Sequence, residues 1–335
     1  MTQSRNLYYD FVKGVLIFLV ILGHSIQYLE FNLTSNTYYN SLFKFIYMFH
    51  MPLFLGISGY FSYSSINNTH NFILFLKKKI IHLLLPMFTW CIFLYLVKYP
   101  NINDLTLKNF IYILNTAPSY WFVWAILAYS ILIYFLSKIK RHNTILLIIS
   151  SIVLTLISVP YPHYSIVQSM YPFFILGYLC KALSIDKLLV FTKKILPLIL
   201  LSFVACFFLW KRNIFVYETP SSFYDIYSLK ITIFRFIASC ISSISILHIL
   251  YYIYCKTSSY KLILVICKIG KETFGIFLIQ ELFFLIIGKY ILNNFSIKAN
   301  NIECIIISII ISIIFYYITL GLSKNKFTKT VFLGK

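Results

Sequence analysis

The chain reads as an all-α fold, a polytopic integral membrane helix bundle of about ten transmembrane helices with both termini cytoplasmic. Three observations predict it. Of 335 residues, 60% are hydrophobic and only 11% charged, whereas soluble globular domains carry roughly a quarter charged residues. Apolar runs of about 18–22 residues recur along the whole length, each long enough to cross ~30 Å of hydrocarbon. The basic residues also fall unevenly between alternate connecting segments. With no polar segment long enough to fold alone, residues 1–335 form a single transmembrane domain without a soluble one.

Taken in order, the expected spans are residues 11–29, 42–62, 79–97, 120–137, 144–160, 168–183, 195–212, 231–254, 273–293 and 302–322. The sixth is the weakest. Pro162 and Pro172 interrupt it, and its wholly apolar core, Phe173 to Cys180, is short. Charge tests the count. One set of segments holds Arg5, the runs Lys77 to Lys79 and Lys138 to Arg141, then Lys181 to Lys194, Lys256 to Lys271 and Lys324 to Lys335. That set carries 19 basic residues, and the other set, with Lys98, Lys108, Lys211, Arg212, Lys230 and Lys298, carries 6. The positive-inside rule then places both ends in the cytoplasm. The net charge of +20 is therefore topology and contact with anionic membrane lipids, and nucleic acid is not an expected partner. The first run carries Asp10, Lys13 and His24 and lacks a small-residue cleavage site, so it is expected to be retained. Seven cysteines without CxxC spacing indicate neither a disulfide framework nor a metal site.

Ionisable groups inside the hydrocarbon are costly and mark functional positions. The first span runs from Tyr9-Asp10-Phe11-Val12-Lys13-Gly14 to Gly23-His24-Ser25, which puts His24 ~20 Å above Asp10. The second runs inward and reaches Phe49-His50-Met51-Pro52 about 12 Å below its outer end. The two imidazoles are thus expected at similar depth, and an imidazole titrates near neutrality, as a general base must. A bland reading stands beside each residue: a lone histidine bonding across a helix interface, Pro52 as a kink, Ser58-Gly59 as close packing, and Lys13 snorkelling to head groups. Lys77-Lys78-Lys79, leading into Ile80-Ile81-His82 and on to Pro86, suits positive-inside anchoring. The same residues suit the phosphates of an anionic donor docked from the cytoplasm.

In this order the motifs resemble the acyltransferase 3 family of membrane acyltransferases, and its fucose 4-O-acetylase-like branch. The carriers are Asp10-x-x-Lys13-Gly14 through Ser25; Phe49-His50-Met51-Pro52-Leu53-Phe54 through Tyr60; Lys77 to Pro86; Tyr120-Trp121-Phe122; Pro172 to Tyr178; and Ile269-Gly270-Lys271 through Ile279. The resemblance implies transfer of an acyl group, usually acetyl, from acyl-CoA to a hydroxyl of a cell-surface polysaccharide or its lipid-linked precursor. It also implies a place in the cytoplasmic (inner) membrane, acetyl-CoA as a donor substrate with no tightly bound cofactor, and polysaccharide-assembly proteins as helpers. By the same resemblance Lys13 and His24 correspond to the family's basic residue and essential histidine, and Lys79 and His82 to its paired basic residues.

The chain departs from the family in having Lys13, Lys79 and His82 where arginine is common. Point charges there replace bidentate phosphate contacts. The late motif ends in Gln280, followed by Glu281, where many relatives carry histidine, and Gln280 cannot act as a base. The expected mechanism has Lys13, Lys78, Lys79 and His82 on the CoA phosphates. His24, supported by His50 with Asp10 nearby, activates the sugar hydroxyl. Tyr120 and Trp121 stack on a sugar ring or anchor in the aromatic belt. Arg235 meets a lipid pyrophosphate or sugar acid, or anchors at the interface, and Gln280 is the last expected substrate contact. The rival class is a transporter or flippase for lipid-linked sugars, which predicts repeat symmetry absent from this sequence.

Overall fold

A computed structural model of the chain describes residues 6–31, 33–116, 120–139, 144–157, 163–183, 192–219, 225–292 and 299–335. Among the described residues every regular element is a helix. In chain order they are α1 (Leu7–Ser25), α2 (Ser41–Asn68), α3 (Phe72–Lys79), α4 (Leu85–Lys98), α5 (Leu107–Thr116), α6 (Trp121–Ile139) and α7 (Thr144–Leu156). There follow α8 (Tyr164–Leu183), α9 (Leu196–Leu209), α10 (Ile226–Thr257), α11 (Lys261–Lys271), α12 (Thr273–Ile286), α13 (Asn301–Ser323) and α14 (Lys326–Leu333). Arg5, Lys140, Arg141, Pro162, Lys187 and Lys298 lie outside the described residues, as do the last residues of the expected fifth and ninth spans.

Each of the ten expected apolar stretches carries a helix. Six helical stretches are long and apolar enough to cross a membrane: Leu7–Glu30, Ser41–Asn68, Phe72–Lys98, Trp121–Ile139, Ile226–Thr257 and Asn301–Ser323. Thr144–Leu154, Leu196–Leu209 and Thr273–Ile286 are apolar but shorter. The remaining one, α8, has 20 residues and is made more polar by Gln168 and Ser169, with Pro172 inside it. Single π-helical turns extend three helices, at Ile26–Glu30 after α1, Ile80–Leu84 between α3 and α4, and Ile287–Leu292 after α12. Such turns are often found at functional sites.

The chain groups into two compact units interleaved in sequence. The first comprises Met1–Ile46, Leu85–Ile113 and Ile246–Lys335. Its centre is the crossing of α1 with α11, where Gly14 and Gly270 let two backbones meet. A Cβ on Gly270 would lie 1.7 Å from the Asp10 carbonyl oxygen, and one on Gly14 2.2 Å from that of Ile266. Asn300 caps α13 reciprocally with Glu303, which satisfies amides that a helix start leaves open. The short α14 is tied down on α4 and α12: the Trp90 indole donates to the Phe332 carbonyl at 3.0 Å, Leu333 packs on Gly275, and Lys335 pairs with Glu272 at 2.6 Å.

The second unit comprises Tyr47–Leu84 and Leu114–Ser245. It is built on the same device, with Gly56 and Gly59 of α2 against α8. A Cβ on Gly177 would lie 1.7 Å from the Gly56 carbonyl oxygen, and one on Gly59 2.0 Å from that of Phe174. Small residues allow such approach where lipid supplies no hydrophobic drive between helices. Polar links then hold the walls. Tyr129 of α6 donates to the Val167 carbonyl, Ser150 of α7 and Tyr171 of α8 share a 3.0 Å hydrogen bond, and Asn67 donates to the Tyr178 hydroxyl at 2.8 Å. Asp225 caps α10 by accepting from the Ser228 amide at 2.8 Å.

Candidate functional site

In the second unit, one to two turns N-terminal of the glycine crossing, α2 presents Tyr47, His50, Met51 and Pro52 to a cavity of about 640 Å³. That volume is in the range of small-molecule sites. Its other walls come from α6, α7, α8, α10 and the loop after α9. His50 is buried, and the Tyr47 ring meets it edge-on with centroids 4.6 Å apart. Trp121 and Arg235 line the same space, so three residues singled out in the sequence converge here. Tyr120, next to Trp121, is wholly buried and is not part of the cavity lining.

Arg235 is buried, and its guanidinium turns toward the loop after α9. Nε donates to the Ile214 carbonyl at 2.6 Å and Nη2 to the Thr219 carbonyl at 2.5 Å. Within that loop Arg212 holds Glu218 through two hydrogen bonds of 3.0 and 3.2 Å. The pinned loop contributes Trp210, Phe215, Val216 and Tyr217 to the cavity. Trp210 is buried and its indole N–H has no hydrogen-bond partner among the described residues. Gln168 also lines the cavity, while its amide donates to the Leu154 carbonyl at 2.8 Å. The loop residues and Gln168 carried no weight in the sequence reading. The available signals were the aromatic density of residues 210–217 and two polar residues inside the weakest span.

Also in the second unit, the basic run divides. Lys77, Lys78 and His82 are exposed. Lys79 turns inward: its ammonium donates to the Ser130 hydroxyl at 3.1 Å and lies 5.6 Å from the Phe75 ring centre. The π-turn at Ile80–Leu84 follows directly and carries His82. Lys79 and His82, paired by resemblance, thus have different surroundings.

The first unit holds the other expected residues. Asp10 and Lys13, one turn apart on α1, form an ion pair of 2.9 Å beside the crossing with α11. His24 lies in the last turn of α1, its ring 5.5 Å from that of Phe284 on α12. Tyr28, on the following π-turn, meets Phe284 with ring centres 5.2 Å apart, and Ser25 accepts from the Ser308 hydroxyl at 2.9 Å. Gln280, one helical turn before Phe284, is wholly buried, and neither atom of its amide has a partner among the described residues. Glu281 beside it is buried as well.

A family model described as an acyltransferase domain, that of acyltransferase 3, matches residues 6–321. The chain belongs to the acyltransferase 3 family. Two relatives are similar over most of their length. The nodulation protein NolL of Sinorhizobium fredii is 30% identical over 289 residues, 83% of this chain and 78% of its own. The nodulation protein NolL of Mesorhizobium japonicum is 33% identical over 248 residues, 72% of this chain and 66% of its own. No solved structure matches. Membership makes this multi-pass membrane protein an acyltransferase, and every residue that the resemblance singled out lies within the matched segment.

Proposed function

We propose that the protein is an O-acyltransferase of the cytoplasmic membrane that moves an acyl group, acetyl foremost, from acyl-CoA to a hydroxyl of a cell-surface polysaccharide or its lipid-linked precursor. The observation that carries this reading is a buried histidine, His50, on the wall of a cavity of about 640 Å³ in an acyltransferase 3 chain. An imidazole there has space beside it for a sugar ring, with Trp121 to stack on it.

The chemistry asks little more of the protein. The imidazole takes the hydroxyl proton as the oxygen attacks the thioester carbonyl. A C–O bond forms, the C–S bond breaks, and the departing thiolate takes the proton back to leave free CoA. Two histidines are open to this role: His24 by correspondence to the family's essential residue, and His50 by its place in the cavity. Lys78 and His82 are exposed, His82 on the π-turn itself, where the phosphates of a donor reach them. Lys79 meets those phosphates on leaving Ser130, and Lys13 on leaving Asp10. Ten spans with both termini cytoplasmic put the basic run on the side where acyl-CoA is made. Gln280 is assigned to substrate through its unpartnered amide.

The test is the O-acetyl content of surface polysaccharide in cells with the intact gene, a deletion, and His24→Ala or His50→Ala proteins present in the membrane at normal level. Acetyl ester is expected to vanish in the deletion and in at least one substitution. Unchanged acetylation in the deletion, with failed polymer export, would overturn the reading in favour of a transporter.

A further inference from the structure

The cavity of the second unit has two unlike sides. One side is closed and polar: His50, Gln168, Trp210 and Arg235 are each at most 6% exposed. The other consists of Ile148 and Ile152 on α7, Leu176 on α8, and Ile233 and Ile237 on α10, and these are 41–51% exposed. The isoleucines on α7 and on α10 are each four residues apart, so each pair forms one stripe along its helix. Side chains that line a cavity and are also half-exposed on membrane helices mark an opening to the surrounding lipid. An aqueous mouth would be framed mostly by polar residues; here five of the seven exposed lining residues are aliphatic, the other two being Thr144 and Tyr217.

We propose that this opening is a lateral portal, and that the cavity takes its substrate from the bilayer as a lipid with a phosphate-bearing head group. The carriage of the acceptor sugar on that head group rests on the acyltransferase reading; the portal and the charge preference do not. A cavity of about 640 Å³ holds a head group, while a long chain must lie outside, and the aliphatic frame is where it leaves. The charge argument comes from Arg235. It lies on the cavity wall, and no Asp or Glu lines the cavity among the described residues. The carbonyls of Ile214 and Thr219 orient its guanidinium without cancelling its charge. A cation held in a water-poor site favours an anion beside it, and the Trp210 indole N–H adds a donor left open among the described residues.

The test uses the full chain in nanodiscs with a photoactivatable polyprenyl phosphate. Saturable labelling is expected, competed by unlabelled polyprenyl phosphate about tenfold better than by the corresponding alcohol. The double substitution Ile152→Trp with Ile237→Trp is expected to reduce labelling by about tenfold by filling the portal. Leu201→Trp, at an exposed position of α9 outside the lining, leaves it unchanged. Arg235→Gln removes the preference for phosphate over alcohol; should that variant fail to fold, the tryptophan variants and the competition series carry the test. Equal competition by the corresponding alcohol, or full labelling of the double variant, would overturn the proposal. Labelling as expected in a protein that transfers acetyl to no acceptor sinks the acyltransferase reading and leaves the portal standing. Acetylation of a soluble glycan without any labelling does the reverse.

Discussion

Both units are assembled by helices meeting at glycine, yet the polar residues singled out in the sequence meet different surroundings in each. In the first unit Asp10 is matched to Lys13, Ser25 to Ser308 and Glu272 to Lys335. In the second, His50, Trp121 and Arg235 face about 640 Å³ of open volume. The difference teaches that close backbone packing and a substrate-sized space are compatible within one membrane unit. Gly56, Gly59 and Gly177 bring α2 and α8 together at one level, and the bulkier Tyr47, His50 and Pro52 line the cavity a turn or two away.

The comparison breaks most severely at the crossings. Gly177→Ala and Gly270→Ala each drive a methyl into backbone that cannot move aside, so each is expected to cost about 3 kcal/mol. Thermal unfolding in detergent, followed by tryptophan fluorescence, measures this. If only one of the two destabilises, the units do not share a construction. Next in size is catalysis. Replacing the histidine that acts as base should lower turnover by about 10²–10⁴-fold at unchanged membrane level, measured as release of free CoA thiol with acceptor present. Loss in His24→Ala with full activity in His50→Ala would move the chemistry out of the open unit.

Smaller effects sharpen the picture. Asp10→Asn leaves Lys13 without its ion-pair partner, for about 1 kcal/mol of lost stability. Adding Lys13→Met should restore part of it, the non-additivity expected of residues in contact. A strictly additive double variant would show the pair to be energetically idle. Smallest is Gly321→Ala on α13, where no atom lies within 4 Å of the new methyl. Relief of the backbone entropy of glycine should stabilise the first unit by up to about 1 kcal/mol.

Much of this architecture was legible in the chain. Each of the ten predicted stretches carries a helix, because a backbone in lipid must satisfy its own hydrogen bonds and leaves a long apolar pattern as its signature. Six are long and apolar enough to span by length and composition. The weakness expected around Pro172 reappears as the more polar α8. The site was legible in part. His50, Trp121 and Arg235 stood out as polar or aromatic residues within apolar runs, and they share one cavity. Lys79 and His82 looked alike as basic residues three apart, and only packing separates them, since Ser130 of α6 captures Lys79. Trp210, Phe215 and Tyr217 were invisible as site residues. Their place depends on Arg235 holding the carbonyls of a loop some twenty residues earlier, a contact with no period or motif.

The sequence by itself determined that this is a multi-pass helical membrane protein of the acyltransferase 3 family, since apolar run length and motif order are local properties that need no partner. The tertiary structure alone decided which polar residues pair off and which face open volume. It also decided that the cavity has one aliphatic, half-exposed side. Those outcomes depend on which helix faces meet, and helices distant in the chain meet where glycines let their backbones touch.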